Sequence, residues 1–187
     1  IAAVEVNISC PNLEDRNNMF SHSPEATSAV VQGVRKALPR IAIFPKLSPN
    51  VTSLTEIAQA ALDAGADGLS LINTLVGMAI DVETRLPKLA GTMGGLSGPA
   101  IRPVAVRSVH EVHRAFPHGP LIGQGGVATA SDALEMILAG ATAVAVGTAN
   151  FVNPRSAKEV REGIADYMQR HEVESLSELV GSVKLED

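Results

Sequence analysis

The sequence predicts a parallel α/β fold: a TIM-type (β/α)8 barrel, of which this chain carries about the last five βα units, strands four to eight. Three observations lead there. Apolar runs rich in β-branched residues alternate with segments of helical periodicity, the pattern of repeated βα units. The runs are apolar nearly throughout, as expected of parallel strands covered on both faces. The last two runs end in glycine-rich turns, GQGGV at 123–127 and VGTAN at 146–150. Consecutive turns of that kind match the phosphate site that barrels build from the loops after strands seven and eight. Five strands would also complete a flavodoxin-like doubly wound sheet; the paired glycine turns favour the barrel. On this reading the first three βα units are absent, and residues 1–187 are the C-terminal part of a single domain. The opening IAAVEVNIS, with neither an initiator Met nor a basic leader, fits an N-terminally truncated chain that starts at a strand.

The elements follow in order. Strands are expected at 4–9, 41–47, 68–72, 120–123 and 143–147, and helices at 25–38, 54–64, 101–116, 130–139 and 157–170, with a short tail helix at 176–182. Ser23-Pro24-Glu25 reads as a helix N-cap followed by Pro at the first helical position. Gly65 and Gly140 close two helices. The Gly-rich segment 73–97 reads as one long loop, and loops of that length are usually functional.

Bulk properties narrow the function classes. The chain is 45% hydrophobic with 3% aromatics, no Trp and a formal net charge of −5, and no Lys/Arg run exceeds two residues. Nothing there favours a nucleic acid or an anionic membrane surface as partner. No apolar run is long enough to span a bilayer. A single cysteine, Cys10, cannot form an internal disulfide, so a reducing, cytoplasmic setting is expected.

Polar residues gather at the predicted C-terminal ends of strands, where a barrel keeps its chemistry. Gly125 and Gly126 free backbone N–H groups for an anion, with the helix at 130–139 aiming its positive end the same way. Gly147 and Thr148 add an N–H and a hydroxyl one unit later. This pattern alone leaves open a phosphorylated substrate or a phosphate-bearing cofactor such as FMN. Lys46 ends an apolar strand in PKLSPN, which for a lysine implies a partner or a functional role. Asn73 and Thr74 follow the next strand, and NISCPN adds Asn7, Ser9, Cys10 and Asn12. No C-x-x-C or comparable ligand spacing surrounds Cys10, so no metal site is expected. His22, His110, His113, His118 and His171 are scattered, with His110 and His113 expected to face solvent and His22 a candidate local proton partner. Asp63, Asp67 and Asp132 read as helix-end or turn residues. A thiol acting as nucleophile or general base is the chemistry left standing.

Six motifs then occur in order: EVNISCPN, PKLSPN, LINTLVGMAID, GGLSGPAIRPVAVRSV, IGQGGV and AVAVGTANF. Together they resemble the class 1, FMN-dependent dihydroorotate dehydrogenases, most of all the NAD-linked subclass whose catalytic subunit works with an iron–sulfur flavoprotein partner. The resemblance implies oxidation of dihydroorotate to orotate in pyrimidine biosynthesis by an FMN-binding barrel, usually a homo-oligomer. It implies Cys10 as the catalytic base that removes the C5 proton while hydride passes from C6 to the flavin. Cofactor contacts would come from Asn7, Lys46, Ile72, Gly98, Gly125, Gly126, Gly147 and Thr148, with Lys46 at the N1/O2 edge of the ring. Substrate contacts would come from Asn7, Asn12, Asn73 and Thr74. One departure concerns the loop covering the cysteine: after CPN this sequence reads LEDRNNMFSHSPEAT, where the NAD-linked subclass has a glycine-rich GG…FG.DP pattern. The loop at 13–23 therefore leaves the pyrimidine and the partner interface open. The alternatives are a related flavin barrel acting on other pyrimidines, as dihydropyrimidine dehydrogenase does, or a noncatalytic remnant.

Overall fold

Five parallel strands stand side by side in the same order in space as in sequence. The computed structural model describes residues 1–10 and 19–185. The strands are β1 (Ala3–Asn7), β2 (Ala42–Leu47), β3 (Leu69–Leu71), β6 (Leu121–Gln124) and β7 (Ala143–Ala145), paired in the order β1-β2-β3-β6-β7. That order excludes the flavodoxin-like alternative, whose strand order reverses partway across the sheet. Helices α1 (Pro24–Ala37), α2 (Leu54–Asp63), α3 (Arg102–Ala115), α4 (Ala130–Ala139) and α6 (Ser156–Arg170) connect them, and each packs on the next. The arrangement is that of a partial (β/α)8 barrel, with helices along one face of a curling sheet.

Period-two alternation sorts the strand residues between the faces. Toward the helices point Val6, Leu47, Leu69, Leu71, Leu121 and Val144; they meet Val31, Ile57, Val109, Val112 and Met136 in one apolar core, and Ile43 on the same face of β2 is fully buried. Each large aliphatic side chain fully buried there contributes about 1.5–3 kcal/mol. The other face is different from the expectation of strands apolar throughout. Glu5 and Asn7 on β1, Lys46 on β2, Ser70 on β3 and Gln124 on β6 all lie on it. This is the concave, barrel-interior side, and it is polar because the site is built there.

Local signals act as the sequence implies. Ser23 caps α1, its Oγ accepting from the Ala26 N–H at 3.2 Å, with Pro24 first in the helix. Gly140 ends α4 at φ 128°, a conformation only glycine adopts without strain. Three elements differ from expectation. Segment 73–97 is not a plain loop but holds an antiparallel hairpin, β4 (Leu75–Gly77) and β5 (Gly94–Leu96). A four-residue helix, α5 (Ala149–Val152), follows β7, where the sequence shows too little periodicity to betray it. The tail helix is a single 3-10 turn, Leu176–Glu178. That tail docks on α4 and α6 through Leu179, Leu134 and Ile137, and the Gly181 N–H donates to the Ile137 carbonyl at 3.0 Å. His113 does not face solvent as its helical position suggests: its ring packs between Gly140 and Gly181, where a β-carbon on either glycine would collide with it.

Candidate active site

The C-terminal ends of the strands and the turns beyond them enclose a cavity of about 400 Å³. Its walls place together Lys46 from β2, Ile72, Asn73 and Thr74 after β3, Gly98 before α3, Gly125 and Gly126 after β6, and Gly147 and Thr148 after β7. Seven of the eight residues expected to hold a cofactor therefore line one cavity. The eighth, Asn7, sits just behind the wall: its Oδ1 accepts from Asn73 Nδ2 at 3.2 Å and from the Ser9 N–H at 3.3 Å. Asn12 lies outside the described residues, as does most of the 13–23 loop, residues 13–18.

Ser9 explains how Cys10 is placed. Buried at the end of β1, it donates from Oγ to the Lys46 carbonyl at 2.7 Å, and its own carbonyl accepts from Asn73 Nδ2 at 2.9 Å. Past the loop the chain is tied back where the Ser21 N–H donates to the Ile8 carbonyl at 3.1 Å. Cys10 follows directly, half-buried at the strand-end rim, and is not among the residues that line the cavity. His22 is exposed, on the single helical turn that follows the loop.

Asn50, which the sequence reading left aside, fixes the other side of the rim. Its Nδ2 donates to the Thr74 carbonyl at 3.1 Å and its Oδ1 accepts from the Val76 N–H at 3.0 Å, so it clamps the start of the hairpin. β5 then passes so close over Thr74 that a β-carbon on Gly95 would lie 2.3 Å from the threonine hydroxyl. Thr148 Oγ1 donates to Ser97 Oγ at 2.9 Å, joining the turn after β7 to the end of the hairpin.

At the glycine end, Gly125 and Gly126 take φ of 118° and 79°. A β-carbon on Gly126 would sit 2.9 Å from both the Arg102 nitrogen and the Gly98 carbonyl oxygen, so the turn packs backbone on backbone. A β-carbon on Gly147, which lines the cavity, would meet nothing within 4 Å. Among the described residues no backbone carbonyl takes the N–H of Gly126 or Gly147. Space and free amides together suit a phosphate group. The α4 terminus departs from expectation: Asp132, 5% exposed, accepts from the N–H groups of Ala128 and Thr129 at 3.0 and 2.8 Å and pairs with Arg102. Burial pushes its pKa up, but these amides, the Thr129 hydroxyl and the Arg102 charge outweigh that and leave it below the ordinary aspartate value. Asp132 thus takes the two amides just ahead of α4, while the glycine turns offer further N–H groups to an anion.

At the opposite end lies a group that sequence reasoning missed. Glu5 receives Lys46 Nζ at 3.3 Å, Ser70 Oγ at 2.5 Å and Gln124 Nε2 at 3.2 Å. Partial burial raises its pKa, but the Ser70 hydrogen bond, the Lys46 charge and the Gln124 amide more than offset this and lower it overall. The signal was present: Glu5 stands two residues before Asn7 in EVN and so shares its face. Among the described residues lining the cavity, Lys46 is the only charged one.

Comparison with known proteins decides the family. A family model described as dihydroorotate dehydrogenase matches residues 1–168. The chain belongs to the dihydroorotate dehydrogenase family. Curated members of this family include the dihydroorotate dehydrogenase B (NAD(+)) catalytic subunit of Desulforamulus reducens, 54% identical over 99% of this chain and 60% of its own length. The subunit of the same name from Desulforudis audaxviator is 56% identical over 97% of this chain and 59% of its own length. The chain thus spans about three-fifths of the length of these relatives. A solved structure of the dihydroorotate dehydrogenase of Eimeria tenella, in complex with ferulenol, superposes with a TM-score of 0.81 at 22% identity, covering 97% of this chain and 54% of that one. At that identity the likeness speaks for the fold, and it agrees with the partial barrel described above.

Proposed function

We propose that the protein of which this chain forms part oxidises dihydroorotate to orotate, with FMN as its flavin and Cys10 as the base. The observation that carries the proposal is the single cavity in which Lys46, Asn73, Thr74 and the glycine turns converge, in a chain of this family whose one cysteine, Cys10, follows the neighbouring strand β1. Its volume of about 400 Å³ falls in the range of small-molecule and cofactor sites. The free amides and open space at Gly126 and Gly147 suit the FMN phosphate, while Ile72, Lys46 and Gln124 face the ring end. FMN bound there would take up the hydride that leaves C6 of the substrate.

The chain's own groups supply the rest. Cys10 in its thiolate form removes the C5 proton, so that the C5–H electron pair becomes the C5=C6 double bond as hydride departs. Asn7 and Asn73, linked to each other, together with Thr74 and Asn12, present amides and a hydroxyl to the pyrimidine. Lys46 offers a fixed positive charge where negative charge develops on the ring. The remaining βα units of the barrel would come from the rest of the protein, so that 1–187 is the C-terminal part of one FMN-binding domain. The relatives' designation as catalytic subunits supports an electron-transfer partner, which we take to be an iron–sulfur flavoprotein, and a homo-oligomeric assembly. Among the described residues no helix is long and apolar enough to cross a membrane, and we place the protein in the cytoplasm.

The test is orotate formation by the complete protein, with Cys10→Ala and Cys10→Ser as variants and uracil reduction assayed alongside. Loss of a positioned base should cost on the order of 10²–10⁴-fold in kcat. Unchanged turnover in both variants would remove Cys10 from the mechanism, and uracil reduction without orotate formation would overturn the substrate.

A further inference from the structure

The geometry points to Glu5 as a positioning residue that holds Lys46 and Gln124 at the floor of the cavity. The inference rests on the flavin reading above. Glu5 does not line the cavity, whereas Lys46 and Gln124 do. Its carboxylate stands directly behind both. One oxygen, Oε1, takes the ammonium of Lys46 at 3.3 Å; the other, Oε2, takes Ser70 Oγ at 2.5 Å and Gln124 Nε2 at 3.2 Å. Gln124 also donates to Ser70 Oγ, which closes the network. The four residues come from β1, β2, β3 and β6, so one acidic side chain on β1 gathers donors from the three other strands.

Each contact has a consequence for the cavity. The Lys46 side chain is 19% exposed, and Glu5 is its ion-pair partner among the described residues. A long ammonium side chain with a fixed acceptor keeps one direction; without it the chain regains its rotamers. Ser70 is fully buried, so its hydroxyl needs the acceptor that Glu5 provides. Gln124 can orient its amide either way, and the Glu5 oxygen selects the direction in which Nε2 points inward and Oε1 remains for the cavity. The carboxylate also sets the net charge of the floor: with the pair intact it is neutral, and without Glu5 it is that of a bare cation. A bare cation beside the flavin ring favours uptake of electrons. Glu5 therefore moderates the pull of Lys46 while fixing where it acts.

The experiment uses the complete protein reconstituted with FMN and reads the flavin midpoint potential together with thermal unfolding. Glu5→Gln keeps the size and the hydrogen bonding to Ser70 but removes the charge. It should raise the midpoint potential, equivalent to a shift on the order of tenfold in the ratio of affinities for oxidised and reduced FMN. In a Lys46→Gln background the same substitution should have a clearly smaller effect, because the carboxylate's own charge still acts but the lysine it positions is gone. Glu5→Asp, which retains the charge one methylene further back, should shift the potential the same way by less, and it serves where Glu5→Gln does not fold. A flavin-loaded Glu5 variant with the wild-type potential, or an equal shift with and without Lys46, overturns the role of Glu5 alone. Wild-type complete protein that takes up no flavin overturns the FMN reading, and this inference with it.

Discussion

Replacing Gly147 by alanine separates the cavity from the fold. Gly147 is outside the left-handed region, and a β-carbon there meets no atom within 4 Å. In the ligand-free protein the methyl group is therefore tolerated, and the lost freedom of the unfolded chain should add about 0.4–1 kcal/mol of stability. The same methyl group enters the space where the phosphate of FMN is proposed to lie. Forcing a methyl-sized group into a filled site costs about 1–3 kcal/mol. At 1.4 kcal/mol per decade that weakens FMN binding about 5- to 150-fold. Flavin fluorescence quenching gives the Kd, and thermal unfolding of the flavin-free protein gives the stability. Gly126→Ala is the contrasting variant: its β-carbon would collide with the Arg102 nitrogen and the Gly98 carbonyl at φ 79°, so it should lose stability as well as affinity. A Gly147→Ala protein that is folded and binds FMN as tightly as wild type would show that the phosphate lies elsewhere.

Asp132→Ala should destabilise the protein at pH 7 by about 1–2 kcal/mol, the usual cost of a helix cap, since it removes the acceptor of two amides at the α4 terminus. Because the folded pKa of Asp132 is depressed, its contribution is present above the unfolded value near 4 and is lost as pH falls through the lower folded value. Urea unfolding between pH 2 and 7 should therefore show a weaker acid dependence in the variant, and an identical pH profile would refute the role. The 187-residue chain by itself should hold FMN poorly, because the polar inner face around Glu5, whose side chain is 39% exposed, is open along β1. Stoichiometric yellow flavin retained by that chain through gel filtration would contradict this.

The βα rhythm was legible because each strand has a full apolar face toward the helices: Ile43 and Leu47, Leu69 and Leu71, and Leu121 are all buried. Caps at Ser23 and Gly140 gave the helix ends, since their chemistry is local. Strand order was legible only indirectly, through the paired glycine turns that favoured the barrel, because nothing local in a parallel strand names its neighbour. The hairpin at Leu75–Gly77 and Gly94–Leu96 escaped notice because its three-residue strands contain three glycines and no sustained alternation. Site residues at strand ends stood out as polar interruptions of apolar runs: Lys46, Asn73 and Cys10 did so. Glu5, in mid-strand, and Gln124, read as part of a glycine turn, did not, because their significance comes from contacts made across 41 to 119 residues of sequence.

Asp132 takes the two amides just ahead of α4, and the cavity carries its charge elsewhere. A helix N-terminus usually offers an anion both its amides and its dipole. Here the amides of Ala128 and Thr129 are spent on a carboxylate, and Arg102 is shared between Asp132 and Glu135, so that corner offers an anion no free positive charge. What remains at the glycine end are uncharged N–H groups at Gly126 and Gly147, while the charged group of the cavity, Lys46, stands at the floor with Glu5 behind it. In the proposed binding mode the phosphate of FMN lies at the glycine amides and the ring at Lys46 and Asn73, which puts the two ends of the cofactor against different chemistry.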